Sequence, residues 1–206
     1  MSKKPNYELD FSVPPGWVQL PVLENRRALR GDRKVAAWAA GQAQAMLGAN
    51  AVPEEVAPRA AELANLTYEA RARGAMNGFA LYPPRRRGLV GILDVKRLVP
   101  DRVYPELTFD ALRKIYAKPS ADTVGDIGEE QIDLASGPAL RVHCKRAESR
   151  DPTGQSVVME GVTYAIRPPG ITDAIVMTMS WGALQLGDHL AAMADAIAQT
   201  VKITPA

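Results

Sequence analysis

The chain has 206 residues, 47% of them hydrophobic and 23% charged, with a formal net charge of +2. That is apolar material enough for one elaborated domain. The charge is too balanced for a nucleic-acid binder, which would concentrate a basic face. No stretch approaches the roughly 18 uninterrupted apolar residues of a membrane span. The start, MSKKPNYELDFSV, is basic with no apolar run behind it, so no secretory signal is expected. Cys144 is the only cysteine, which excludes an intrachain disulfide and favours a reducing cytoplasm.

Taken in chain order, residues 1–10 read as a flexible tail. FSVPPGWVQLP follows (11–21), and its Phe11, Val13, Trp17, Val18 and Leu20 need a core. Pro14-Pro15-Gly16 is therefore expected to be the turn that sets a first strand, not a free proline-rich ligand. Residues 24–73 predict a helical pair. Leu29, Ala36, Ala40, Ala43 and Leu47 fall on one stripe of the first helix. The second starts at Pro53 with Glu54 and Glu55 in its first turn, and Gly74 ends it. Pro58 falls in its second turn and is expected to delay the regular part.

From Met76 the texture becomes strand-like. MNGFALY (76–82) and LVGILDVKRLV (89–99) flank Pro-Pro-Arg-Arg-Arg-Gly, an antiparallel hairpin with a basic tip. TFDALRKIYA (108–117) predicts a short helix capped by Thr108 or Asp110 and stopped by Pro119. Then come four runs of period two: 131–134, 140–145, 162–167, and the run with Ile175, Met177, Met179 and Trp181 on one face. Short turns between them favour antiparallel neighbours. A closing helix over 186–201 aligns Leu190, Met193, Ile197 and Val201. The fold class expected is α+β: one domain over 1–206, with an antiparallel sheet of about six to seven strands and helices packed on it over 76–203, an αβα sandwich.

Catalytic signals are weak. His143 and Cys144 are strand neighbours that point to opposite faces, so they cannot form a nucleophile–base pair. Cys144 reads as a structural thiol, and His189 beside Asp188 as part of a helix start. A Ser180–His189–Asp set has no G-x-S-x-G elbow to support it. Asp122, Asp126, Glu129, Glu130 and Asp133 lack a calcium-loop pattern and read as a solvated face. No catalytic residue, metal or cofactor is expected. Two features point to a partner. Arg85, Arg86 and Arg87 at the hairpin tip, after Tyr82 and two prolines, suit an acidic surface. Their plainer reading is a solvated loop that deters edge pairing, and Arg26, Arg27, Arg30, Arg33 and Lys34 could extend the basic surface. Met177, Met179 and Trp181, with Met159 and Met193, offer adaptable apolar contact, with core filling as the plainer alternative.

The Pro-Pro-Gly-Trp start (14–17), the strand pair joined through Ser136-Gly137-Pro138, the segment Tyr164 to Gly170, the strand ending in Ser180-Trp181 and the closing amphipathic helix together resemble the PsbP-like αβα sandwich group. That group holds photosystem-associated extrinsic proteins, nuclear Ran-binding proteins, actinobacterial lipoproteins and chaperones of secreted bacterial effectors. The resemblance is strongest over 125–203. It implies a binding or scaffolding role and transfers no functional residue. The expectation is a non-enzymatic, cytoplasmic adaptor or chaperone with a protein partner, linked to a bacterial secretion system or its cargo. A structural subunit of a larger assembly, as a homo-oligomer, and a small-molecule enzyme with a pocket over the sheet are the alternatives.

Overall fold

The structure, a computed structural model, describes residues 7–22, 33–83, 88–148 and 157–205. The first half of the described chain runs β1 (Tyr7–Asp10), β2 (Trp17–Leu20), α1 (Arg33–Leu47), α2 (Pro53–Ala72), β3 (Asn77–Leu81), β4 (Gly91–Leu98) and α3 (Phe109–Tyr116). The second half runs β5 (Thr123–Leu134), β6 (Gly137–Glu148), β7 (Val157–Ile166), β8 (Ala174–Trp181), α4 (Gly187–Gln199) and β9 (Lys202–Pro205). Seven strands form an antiparallel sheet in the order β2-β3-β4-β8-β7-β6-β5, and β1 pairs separately with β9.

The chain thus builds one side of the sheet, crosses to the far edge by way of α3, and returns strand by strand. The last strand to arrive, β8, inserts beside β4 with Leu93 opposite Met179 and Val95 opposite Met177. On one face α4 covers this seam, and Leu190, Ala194 and Ile197 meet Tyr164, Met177 and Trp181. On the other face α1 and α2 cover the β2–β3 end through Leu63, Leu66, Ala39 and Ala80. There α3 covers the opposite end, setting Leu112 on Leu140, Val142 and Val176.

Local chemistry explains most boundaries. The Pro15–Gly16 turn leads into β2, with Gly16 at φ 98, a backbone region costly for other residues. Thr108 caps α3 by accepting from the Ala111 N–H at 3.2 Å. Glu55 reaches back to the Val52 N–H at 3.4 Å, and α2 is regular from Pro53 onward. Pro58 does not delay it: the residue lies on the exposed side, where the carbonyl left without its N–H faces water.

Three expectations need correction. Residues 7–10 are not tail but strand β1, because Tyr7 and Leu9 alternate onto the main core while the backbone pairs with β9. Helix α1 is described from Arg33 onward, its expected earlier part lying in residues 23–32 outside those described, and its buried stripe is Val35, Ala39 and Ala43. Ala36, Ala40 and Leu47 face outward. In so alanine-rich a helix the bulk of Val35, Trp38 and Met46 decides the rotation, and these set the face one residue away from the alanine count. Finally, Met177, Met179 and Trp181 are each 0% exposed. They are core residues under α4 and present no surface to a partner. Replacing Met177 with Ala should cost about 2–5 kcal/mol of unfolding free energy, read as a lower urea midpoint with an unchanged slope.

Candidate functional site

Helices α2 and α3 stand apart on their shared face, leaving the middle of the sheet uncovered. Strand register fixes what lies there. One row across four strands is Ile92–Ser180–Gly161–Cys144, and the next is Asp94–Thr178–Thr163–Val142. Most of these side chains are small, and all but Val142, which lies beneath α3, line a trough with a hollow of about 280 Å³. Gly161 keeps the floor low: a Cβ there would lie 2.8 Å from the Met179 carbonyl oxygen, inside contact distance of fixed backbone. The Thr163 and Thr178 hydroxyls bond each other at 3.1 Å.

The walls carry charges of both signs. Arg73, at the end of α2, donates through Nε to Asp94 Oδ2 at 2.6 Å and lies 3.7 Å from Glu69. The second carboxylate oxygen, Asp94 Oδ1, is buried in the wall with no hydrogen-bond partner among the described residues. Lys96, two residues on, holds its ammonium 5.7 Å from the Tyr116 ring centroid. Burial pushes the Tyr116 phenol up to about 12, so it stays neutral beside that cation. Arg146, Glu148 and Met159 close the far end, with Arg146 Nη1 donating to Ser120 Oγ at 3.4 Å.

The opposite face carries a different polar group. Glu160 is 5% exposed. His143 Nε2 lies 2.9 Å from its Oε1, and the Trp181 indole N–H donates to Oε2 at 3.1 Å. Its Oε2 sits against the first residue of α4: a Cβ on Gly187 would meet it at 2.5 Å. Two ring partners in the sheet thus hold a carboxylate against the start of α4, where the helix dipole favours negative charge. Further along, Asp195 of α4 accepts from Arg141 at 2.7 and 3.2 Å and from the Tyr164 hydroxyl. Burial acts to raise the Asp195 carboxyl, but the Arg141 and Tyr164 hydrogen bonds outweigh it and hold it below the usual carboxylate value. Burial and the same carboxylate push the Tyr164 phenol up.

The sequence candidates fall as follows. His143 and Cys144 do lie on opposite faces, Cys144 in the trough and His143 on Glu160. Ser180 is on the trough floor, whereas His189 is on α4 and lines an apolar hollow with Pro15, Leu81 and Met193, so no triad assembles from them. Tyr82 is buried: its hydroxyl donates to Glu62 at 2.9 Å and Arg59 covers its ring at 4.6 Å. It is packed under α2 and not displayed at the hairpin. Arg85, Arg86 and Arg87 lie outside the described residues, as do Arg26, Arg27 and Arg30. Asp122, Asp126, Glu129, Glu130 and Asp133 are exposed along edge strand β5. Among the described residues no group of three His, Cys, Asp or Glu side chains could hold a metal.

No protein-family model and no curated protein matches this sequence. Solved structures do match it. LpqN, involved in cell envelope biogenesis of Mycobacterium tuberculosis, is 13% identical with a TM-score of 0.50, over 98% of this chain and 87% of that one. The cyanobacterial PsbP (CyanoP) of Synechocystis sp. PCC 6803 is 11% identical with a TM-score of 0.45, over 96% of this chain and 86% of that one. The PsbP-like resemblance holds, as a likeness of fold. Sequence reading missed the trough itself. Its signal was present as small polar residues, Thr163, Thr178 and Ser180, at alternate positions of strands otherwise buried on both faces. They pass for an ordinary wet face until the helices are placed.

The Asp195 cluster has a pH signature. A carboxyl depressed in the folded state contributes stability that is complete above its unfolded value, about 4, and is lost as pH falls through the lower folded value. Asp195→Asn removes that contribution, so the gap in melting temperature between wild type and variant should narrow on acidification below about pH 4.

Proposed function

We propose that this is a non-enzymatic binding protein that seats part of a partner protein in the trough between α2 and α3, as an adaptor or chaperone does. The observation that carries the reading is the uncovered centre of the sheet: a floor of mostly small residues, walled by charges of both signs, among which Arg73 pairs with Asp94 and Glu69. Such a surface has shape and hydrogen-bonding groups to recognise a partner, while both described histidines lie away from it. A role with the cargo or apparatus of a secretion system belongs to this proposal. LpqN's involvement in cell envelope biogenesis favours a second form of it, in which the same binding role is exercised at the envelope and not in the cytoplasm. Fractionation of the native host separates the two.

The test is affinity capture from the native host with wild type and with Ser180→Tyr, which fills the trough. Wild type should recover one stoichiometric partner, and the filled variant, at unchanged melting temperature, should lose it. Recovery of the same partner by both proteins, or of no partner by wild type, sinks the reading.

A further inference from the structure

The sheet has a long free edge. Strand β5 ends the order β2-β3-β4-β8-β7-β6-β5 and pairs only with β6. Which of its backbone groups are free follows from the register. Pro138 accepts from the Arg167 N–H at 2.9 Å, so Pro138, Leu140 and Val142 turn their backbone groups toward β7. Their neighbours Ala139, Arg141 and His143 turn toward β5, where they stand opposite Ile132, Glu130 and Gly128. The N–H and C=O groups of Glu129, Gln131 and Asp133 therefore point the other way, out of the sheet. Irregular pairing is confined to the stretch between Val124 and Gly128. From Gly128 to Leu134 the edge is regular and holds no proline, so two common guards against strand addition are missing there.

Charge on this edge selects its occupant. Glu129 and Asp133 share the α3 face with Gln131, and Glu130 lies on the α4 face; all four are exposed. No lysine or arginine falls between Glu129 and Asp133. Arg113 of α3 lies 3.3 Å from Glu129, and Arg141, opposite Glu130, is held by Asp195. A second copy is a poor occupant. Antiparallel pairing of two β5 edges about Gln131 would set Glu129 of each copy directly opposite Asp133 of the other, and like charges so placed repel.

We propose that β5 is a docking edge, to which an extended basic segment of a partner protein adds antiparallel, with cationic side chains over Glu129 and Asp133. Backbone bonds to Glu129, Gln131 and Asp133 supply the affinity, and the carboxylates choose the partner. The proposal concerns the outer edge of the sheet and does not rest on the trough.

The test titrates the full chain with acetyl-Thr-Lys-Val-Arg-Val-Lys-Thr-amide and follows backbone amides by NMR. Those of Glu129, Gln131 and Asp133 should shift in a saturable way. With peptide at about ten times its dissociation constant, their exchange with solvent should slow about tenfold. Gly128, Glu130 and Ile132, already bonded to β6, should change little. Methylating the backbone nitrogen of the central arginine removes the N–H that meets Gln131 and should abolish binding. Methylating the valine before it, whose N–H faces away, should not. Glu129→Gln combined with Asp133→Asn should weaken binding about fivefold. Gln131→Pro removes an outward N–H without breaking a bond to β6, and should abolish binding; should that variant fail to fold, the methylated peptides make the same test. A peptide with glutamate at the three cationic positions should not bind. A basic peptide that shifts nothing, equal binding by the acidic peptide, or tolerance of the methylated arginine overturns the inference. Protection of the same amides on concentrating the protein alone also overturns it, by making a second copy the occupant. Ser180→Tyr should leave peptide binding unchanged, which separates this edge from the trough.

Discussion

The pairing of β4 with β8 is the contact on which the rest of the molecule depends. It joins two parts that are otherwise separate in sequence: the β2–β3–β4 sheet segment with its two helices, and the β5–β6–β7–β8 meander. Eight residue pairs make the seam, from Gly91 opposite Trp181 to Leu98 opposite Ala174. Strand β8 can serve as a central strand because both of its faces are apolar where a helix covers them. Ile175, Met177, Met179 and Trp181 lie beneath α4, and Ala174 and Val176 beneath α3. Burial of such side chains is what makes a strand central and not an edge.

The same seam explains the trough. On the α4 side one helix lies along the joint and closes it, its start set against Glu160 and its Asp195 bonded to Arg141 of the sheet. On the other side each half brought its own helical cover, α1 and α2 with the first half and α3 with the second. Neither reaches the middle, and the strands change there from apolar residues to Ser180, Thr178 and Thr163. The gap is a product of how two covers meet, which is why it is lined by residues from both halves. Arg73 and Asp94 come from the first, and Thr163, Cys144 and Arg146 from the second.

Much of the fold was legible in the sequence and the site was not, for one physical reason. Period-two alternation in β6, β7 and β8, the Pro15–Gly16 turn, the Thr108 cap and the Gly74 stop are local signals, each decided by a few neighbouring residues. They reported element type and the antiparallel sheet faithfully. Where the outcome depended on distant partners, local reading lost its hold. Tyr7 and Leu9 become a strand only because β9 is beside them, and the face of α1 is chosen by Val35 and Met46 against α2. Met177 and Trp181 read equally as partner surface or core until α4 is placed over them. The trough is the extreme case: its residues come from α2, β4, β6, β7 and β8, and no single stretch displays it.

The separate ribbon of β1 and β9 carries a consequence for synthesis. Tyr7 pairs with Pro205 and Asp10 with Lys202, so the earliest strand of the described chain waits for the latest. The first-half sheet waits in the same way, since β4 has no neighbour on its open side until β8 follows the whole meander. A nascent chain must therefore hold the apolar edge of β4 unpaired until β8 is made, and the β1–β9 ribbon cannot form before β9 has left the ribosome. The sheet's window of greatest vulnerability to misassociation is the interval in which Leu93 and Val95 are present and Met177 and Met179 are not.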